Sequence, residues 1–94
     1  MAGRTEWTFI TSHGSVLLEV ARTPNATVRE IAERAALTER QAHRVLADLA
    51  EEGYIVRERV GRRNRYRVNG TRHMRHPSIS GHRVGELLAV LGDG

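Results

Sequence analysis

Arginine is the residue whose type and spacing carry most of the chemistry that this sequence could perform. All of its fifteen basic residues are arginine, and six of them fall between positions 57 and 67, where Glu58 is the one carboxylate. The planar guanidinium presents its N–H donors in a fork that suits both phosphate oxygens and the edge of guanine. Since surface segments normally mix their charges, this local excess, in a chain of net charge +4, indicates a polyanionic partner.

Polar side chains of a second kind gather between positions 38 and 44. Glutamine can pair with two atoms of the adenine edge and arginine with two of the guanine edge, and a helix start offers free N–H groups to phosphate. We therefore predict contacts with nucleic acid from Thr38, Glu39, Arg40, Gln41, His43 and Arg44. A capping role for Gln41, and simple solvent exposure for the histidine and the arginines, stay open as alternatives.

The composition argues against several other kinds of chemistry. Without cysteine the chain can form no disulfide, thiolate nucleophile or zinc–thiolate site. His73, His76 and His82 follow no spacing typical of a tetrahedral metal site, and we expect them to be loop residues. No serine, histidine and carboxylate set suggests a catalytic site. We therefore predict a protein that is not an enzyme and that needs no metal or other cofactor.

Hydropathy and length limit the possible cellular location and the number of domains of the protein. No apolar run approaches the roughly 20 residues that cross a bilayer, and the amino terminus lacks the apolar stretch of a signal peptide. We therefore predict a cytoplasmic protein with no membrane partner. The 94 residues suit a single domain, 1–94, with a modest core. Little room is left for an effector domain, and the sequence identifies no small-molecule effector.

Two short predicted helices with similar signatures position the polar stretch. Thr27 with Glu30, and Thr38 with Gln41, each have the spacing of a capping box. Apolar residues at offsets of 0, 3, 4 and 7 follow, and they predict one buried stripe on each helix. The stripes are Val28, Ile31, Ala32 and Ala35, then Ala42, Val45, Leu46 and Leu49. Two capped helices joined by a turn of about three residues predict a helix-turn-helix that turns residues 39–44 outward.

The period of the sequence changes after Gly53, a residue that fits the end of the second helix of this pair. Residues 54–60 favour a strand, residues 65–68 favour its returning partner, and residues 61–64 connect them. We expect this hairpin to contact nucleic acid through Arg62, Arg63, Asn64 and Arg65. For the other hairpin arginines, we favour protection of an exposed strand edge. These are Arg57, Arg59 and Arg67.

Further helices are predicted on either side of this unit. The first covers about 13–22, and Trp7, Phe9 and Ile10 before it are expected to anchor the amino terminus to the core. The last covers about 80–91, can be capped by Ser80, and contains Gly85, which weakens it unless it packs against a partner. The predicted fold class is thus mainly α with a small β-hairpin, a core over about 13–69 and an additional C-terminal helix.

In this order the segments resemble the MarR-like and ArsR-like winged helix-turn-helix regulators of bacteria and archaea. The resemblance covers about 13–69, and its carrying segments are 28–32, 37–41, 46–55 and the wing 61–66. The carboxyl-terminal part, with Arg75-His76-Pro77 before a leucine-rich helix, also resembles a family of short actinobacterial proteins. The sequence departs from the pattern at Ala36, where such turns often carry glycine. If this position needs a positive φ, alanine costs about 1 kcal/mol.

The resemblance implies that the third helix enters the major groove and that the wing lies along the backbone or in the minor groove. We therefore predict a sequence-specific regulator of transcription that binds double-stranded DNA, acting as a repressor. We expect a homodimer whose interface contains Val84, Leu87, Leu88 and Leu91. A winged-helix module for protein interaction and an RNA-binding protein stay open, although an interaction module would more often expose an apolar patch in place of the basic face.

Overall fold

The computed structural model describes residues 8–92 and shows a helical body that carries a two-stranded hairpin. In chain order its elements are α1 (Ser12–Arg22), α2 (Val28–Ala35), α3 (Glu39–Glu51), β1 (Ile55–Val60), β2 (Arg63–Val68), a 3₁₀ turn (Pro77–Ile79) and α4 (Val84–Gly92). The predicted fold class, a mainly helical winged helix-turn-helix with one small hairpin, is confirmed. The anchoring role expected for Trp7 lies outside the described residues, and the same expectation is wrong for Phe9, which is 91 % exposed.

One apolar core joins the first three helices to the base of the hairpin. Both predicted stripes face this core, and α1 closes it from the other side. The buried apolar residues are Val16, Leu17, Val20, Ala26, Ile31, Ala32, Ala42, Val45, Leu46, Leu49, Tyr54, Ile55, Tyr66 and Val84. Because burial of one such aliphatic or aromatic side chain contributes roughly 1.5–3 kcal/mol, this cluster fixes the orientation of α3 on the body.

Both capping boxes form as the sequence predicts. The Thr27 hydroxyl accepts from the Glu30 backbone N–H at 3.1 Å, and the Glu30 carboxylate accepts from the Thr27 backbone N–H at 2.8 Å. In α3 the Thr38 hydroxyl accepts from the Gln41 backbone N–H at 3.1 Å, and Gln41 Oε1 accepts from the Thr38 N–H at 2.9 Å. These bonds satisfy amides that would otherwise lack partners, so each helix begins at a fixed residue.

The turn between α2 and α3 contains the positive φ at Ala36 that the sequence analysis considers. Ala36 has φ 59° and ψ 43°, in the left-handed region. Among residues 8–92 it is the single residue other than glycine with a positive φ. The expected cost of about 1 kcal/mol therefore applies. The Leu37 N–H donates to the Ala32 carbonyl at 2.8 Å and closes the end of α2.

The hairpin turn is shorter than the predicted connection of four residues. Val60 pairs with Arg63, so only Gly61 and Arg62 lie between the strands. Gly61 has φ 63°, which fits the first central position of a type II′ turn. Asn64 therefore lies within β2, opposite Arg59, and not in the loop as predicted. The pattern of residues 61–64 did not show that the ladder continues to Arg63, because three polar residues hide the alternation.

Helix α4 begins four residues later than the predicted start at Ser80, which instead ends the 3₁₀ turn. Its first amides find partners in the segment that leaves the wing: Val84 N–H donates to the Arg72 carbonyl and Gly85 N–H to the Gly70 carbonyl, at 2.8 and 2.9 Å. A Cβ on Gly85 would lie 2.8 Å from that Gly70 oxygen, so glycine permits this close approach. Gly85 weakens α4 unless the helix packs against a partner, and that partner is the helical body of the same chain.

Candidate nucleic-acid interface

Helix α3 has two faces that differ sharply in burial. Ala42, Val45, Leu46 and Leu49 are buried against the core. All six predicted contact residues from Thr38 to Arg44 are exposed on the other side. The structure therefore brings these six side chains together on one solvent-facing surface at the amino-terminal end of α3. This placement follows from the 3.6-residue period, which separates the buried positions from the exposed ones.

Gln41 is both a capping residue and an exposed one. Its Oε1 holds the Thr38 backbone N–H. Its Nε2 makes no hydrogen bond within residues 8–92, and an amide oxygen has a second lone pair. The two alternatives that the sequence leaves open for Gln41 are thus compatible, because the cap occupies only part of the amide.

Charge is distributed unevenly along α3. Arg40 and Arg44 lie in its first half with Glu39 as the one carboxylate there, whereas its second half carries Asp48 and Glu51 and no arginine. Asp48 Oδ2 lies 2.9 Å from His13 Nε2, and a Glu52 carboxylate oxygen lies 3.9 Å from an Arg75 guanidinium nitrogen. A polyanion would therefore meet attraction at the amino-terminal half and repulsion at the other end.

The hairpin arginines divide into two groups by their contacts. Arg67 pairs with Glu58 at 3.4 Å, Arg59 donates to the Gly61 carbonyl at 3.3 Å, and Arg63 donates to the carbonyl of Asn25 at 2.8 Å. The side chains of the remaining three are exposed and make no hydrogen bond or ion pair with the part of the chain that the structure describes. They are Arg57, Arg62 and Arg65.

Sequence reasoning missed two features of this hairpin. For Arg57 the sequence favours the protection of a strand edge, yet its exposed side chain, like those of Arg62 and Arg65, has no bonded partner within residues 8–92. The bond from Arg63 to Asn25 joins residues 38 positions apart. No local pattern could have indicated either feature, since both depend on which partners the fold brings near.

Within residues 8–92, the titratable groups with clearly shifted pKa values are two helix-start carboxylates. The hydrogen bond from the Thr27 backbone N–H is the main cause that lowers the pKa of Glu30, and Arg34 and Arg63 lower it further. The Arg83 backbone N–H and the His82 side chain likewise lower the pKa of Glu86. Both shifts favour the ionised form, whereas a carboxyl group that acts as a general acid near neutral pH needs the opposite shift.

The loop histidines make local hydrogen bonds. Nδ1 of His73 contacts the Ser80 carbonyl, Nδ1 of His76 contacts the Ser78 hydroxyl, and Nδ1 of His82 contacts Glu86. In the described part of the chain no three histidine, aspartate or glutamate side chains come close enough to hold a metal ion. Within the same residues, no helix is long and apolar enough to span a membrane.

An apolar groove of about 620 Å³ lies on the side of the body formed by the start of α1, the end of α3, the 3₁₀ turn and α4. Leu87, Leu88 and Leu91 line it, as does Phe9. Val84 also reaches it but is only 4 % exposed, because it packs into the core of its own chain. Val84 therefore offers little surface to a partner, and its place in a dimer interface stays a prediction.

The arrangement of α2, α3 and the β1–β2 wing defines the class of protein: this is a winged helix-turn-helix protein. A model of the MarR family matches residues 8–65, more than half of the chain. The chain therefore belongs to the MarR family, which confirms the MarR-like resemblance stated from the sequence. A comparison with curated proteins finds no matching sequence. Membership of this family indicates a DNA-binding regulator of transcription.

Proposed function

We propose that the protein is a repressor that binds double-stranded DNA sequence-specifically, with the amino-terminal half of α3 in the major groove. The two-faced character of α3 carries this proposal. Its apolar stripe is held in the core, and its polar, basic face is wholly exposed. A helix held in this way can keep side chains at fixed positions against base edges, which direct readout requires.

The exposed side chains of α3 match base edges by donor and acceptor type. Arg40 or Arg44 can donate two N–H groups to guanine, and Gln41 can donate its free Nε2–H to adenine N7. Glu39 can accept from cytosine or repel a phosphate and so select orientation. His43 can donate to a base edge or a phosphate, and the Thr38 end of the helix can hold a phosphate by its backbone N–H groups.

The wing supplies the charge for the DNA backbone or the minor groove in this proposal. Arg62 at the tip and Arg65 on β2 are exposed, and their side chains are unpaired within residues 8–92. Arg63 and Asn64, also predicted to contact DNA, are exposed between them, and Arg63 bonds to the Asn25 carbonyl. Each phosphate contact by such a cation adds about 0.9 to the slope of log affinity against log salt. Binding through the wing should therefore weaken steeply as salt rises.

Homodimerisation through the apolar groove completes the proposal. Ile79, Leu87 and Leu91 line the groove, and Ile79 is 42 % exposed. Leu88 also lines it and packs partly against the core. A second copy that covers these residues would remove apolar surface from water in both chains. Two-fold symmetry would then set two α3 helices about 34 Å apart and select a palindromic site.

Competition between duplex DNA and duplex RNA of the same sequence tests the nucleic-acid part of this proposal. The wide major groove of B-DNA admits a helix, whereas that of A-form RNA does not. We expect labelled DNA to be released by unlabelled DNA at concentrations where unlabelled RNA has little effect. Equal competition would identify an RNA-binding surface, and no binding to either would favour a protein-interaction module.

Static light scattering tests the dimer. We expect the mass of two chains at micromolar concentration, and the mass of one chain for Leu87→Glu, which places a carboxylate in the groove. Ala50→Glu, an exposed change on α3 that does not line the groove, is the matched control and should leave the dimer intact. A single-chain mass for the unchanged protein, with and without DNA, would contradict this part of the proposal.

A further inference from the structure

Arg63 makes an unusual contact between the wing tip and the helical body. Its Nη2 donates to the backbone oxygen of Asn25 at 2.8 Å. Arg63 is the first residue of β2, directly after the two-residue turn. Asn25 lies in the loop between α1 and α2, two residues before the Thr27 cap of α2. The contact therefore joins the outermost part of the wing to the loop that leads into the first helix of the helix-turn-helix.

The outer wing has little else to hold it. The buried residues of the two strands are Ile55 and Tyr66, and residues 58–65 contain none. The side-chain bonds of Arg59 and Arg67 remain within the hairpin. Within residues 8–92, the Arg63 bond is the only hydrogen bond or ion pair from positions 56–67 to a residue outside the hairpin. A two-stranded hairpin is only marginally stable by itself, so one outside anchor has a large influence on its direction.

The acceptor loop is well anchored in turn. The Ala26 N–H donates to the Thr23 carbonyl at 3.0 Å, and Ala26 is buried. Arg34 on α2 donates to the Thr23 hydroxyl, also at 3.0 Å. These contacts hold the loop to α2. A bond from the wing to this loop therefore restricts the orientation of the wing relative to the helix-turn-helix.

We propose that Arg63 is a positioning residue, which fixes the angle between the wing and the helix-turn-helix by its bond to Asn25. With the wing held at this angle, Arg62 and Arg65 approach phosphates while α3 lies in the groove. Because the wing is already ordered in the free protein, less conformational entropy is lost on binding. The effect on DNA rests on the proposed function, whereas the tether itself is a property of the free protein. The competing role is a phosphate contact like those assigned to Arg62 and Arg65.

Hydrogen exchange of the free protein tests the tether without DNA. In Arg63→Ala we expect amides of residues 58–64 to exchange about tenfold faster, the effect of losing one charge-assisted hydrogen bond that holds the wing. Arg65→Ala removes an equal charge from the same strand without removing an outside contact, so it should exchange as the unchanged protein does. Equal protection in Arg63→Ala and the unchanged protein would overturn the proposal.

A double-mutant cycle on DNA tests the positioning role. Arg65→Ala should weaken the binding of the unchanged protein about tenfold, but that of Arg63→Ala only about twofold or less, because the displaced wing has already lost the Arg65 contact. Independent losses, with a salt slope that falls by about 0.9 for Arg63 alone, would make Arg63 a phosphate contact. If Arg63→Ala exchanges faster but the two variants lose DNA affinity independently, Arg63 holds the wing in the free protein and its positioning role in DNA binding is overturned.

The two measurements separate this inference from the proposed function. If the unchanged protein binds no duplex DNA, the proposed function fails, and the exchange measurement still decides whether Arg63 holds the wing. If the unchanged protein binds DNA and Arg63→Ala shows neither faster exchange nor coupling to Arg65, the inference fails and the proposed function stands.

Discussion

Helix α3 and the wing hold their exposed side chains in different ways. The exposed face of α3 is backed by four buried residues of the same helix and by a complete capping box. The wing is buried only near its base, and beyond that it depends on its own ladder and on one bond to Asn25. A base edge accepts a donor only within narrow limits of distance and angle, whereas phosphates line the whole backbone. The rigid region therefore suits base contacts and the less supported one suits charge.

The difference predicts unequal sensitivity to lost packing, which is the largest effect that we expect. Leu46→Ala should lower the free energy of unfolding by about 2–5 kcal/mol, because Leu46 is only 3 % exposed and its loss leaves a cavity under α3. Val60→Ala, at a wing position that is 55 % exposed, is the matched control and should change it by less than about 0.5 kcal/mol. Urea unfolding measures both. Similar losses would show that the wing is packed as tightly as α3.

The same difference predicts two kinds of binding defect. Arg44→Ala should cost about 1–3 kcal/mol on the preferred duplex and far less on unrelated ones, if it meets a base. Arg62→Ala should weaken all duplexes alike and lower the salt slope by about 0.9. Titrations of several duplexes at a series of salt concentrations separate the two patterns. If Arg62→Ala changes sequence preference and Arg44→Ala does not, the roles of helix and wing are reversed.

The turn before α3 offers a gain in stability. Ala36→Gly should raise the free energy of unfolding by about 1 kcal/mol, because glycine adopts a φ of 59° without the steric cost that alanine meets. Ala35→Gly, one residue earlier and within α2, should lower it by a similar amount. Thermal unfolding of the pair would show opposite shifts. A loss in both variants would mean that the turn does not require the left-handed conformation.

A weaker effect concerns pH and the two capping boxes. The pKa of Glu30 is lowered in the fold from its usual 4.5, so its contribution to stability is present above about pH 4.5. That contribution is lost as pH falls through the lower value of the folded protein. Gln41 has the same position in the α3 box and does not titrate. Glu30→Gln should therefore reduce the fall in stability between pH 5 and pH 3, about the range of carboxylate titration. An unchanged fall in urea unfolding would contradict this assignment.

The sequence predicts those parts of the fold that depend on near neighbours. Both capping boxes join residues three positions apart, and both apolar stripes repeat within two turns, so local spacing suffices. The start of α4 was placed too early because its first amides bond to Arg72 and Gly70, which only the folded chain brings near. The burial of Val84 escaped prediction for the same reason, since one apolar face can meet its own core or a second copy.

The candidate site likewise has a part that local spacing predicts and a part that depends on contacts made only in the folded chain. The outward set on α3 follows directly from the helical period, and the structure places every member of it on the surface. The sequence divides the wing arginines by their position near the turn or in the strands. This division separates Arg65 from Arg67, but it does not identify Glu58 as the partner of Arg67. Nor could it indicate that Arg63 bonds to a loop 38 positions away. Distribution of charge is visible in a sequence, whereas pairing of charge is a property of the fold.

Selection of bound duplexes from a random pool tests the central claim most directly, because it measures sequence preference, symmetry and spacing together. The account predicts an enriched palindromic site whose half-sites are centred about 10 base pairs apart, one DNA turn, in the pool selected by the unchanged protein. Arg44→Ala should relax the preference at one position of each half-site, and Arg62→Ala should leave the selected sequence unchanged. A pool that stays random after selection by the unchanged protein would contradict the claim that α3 reads DNA sequence.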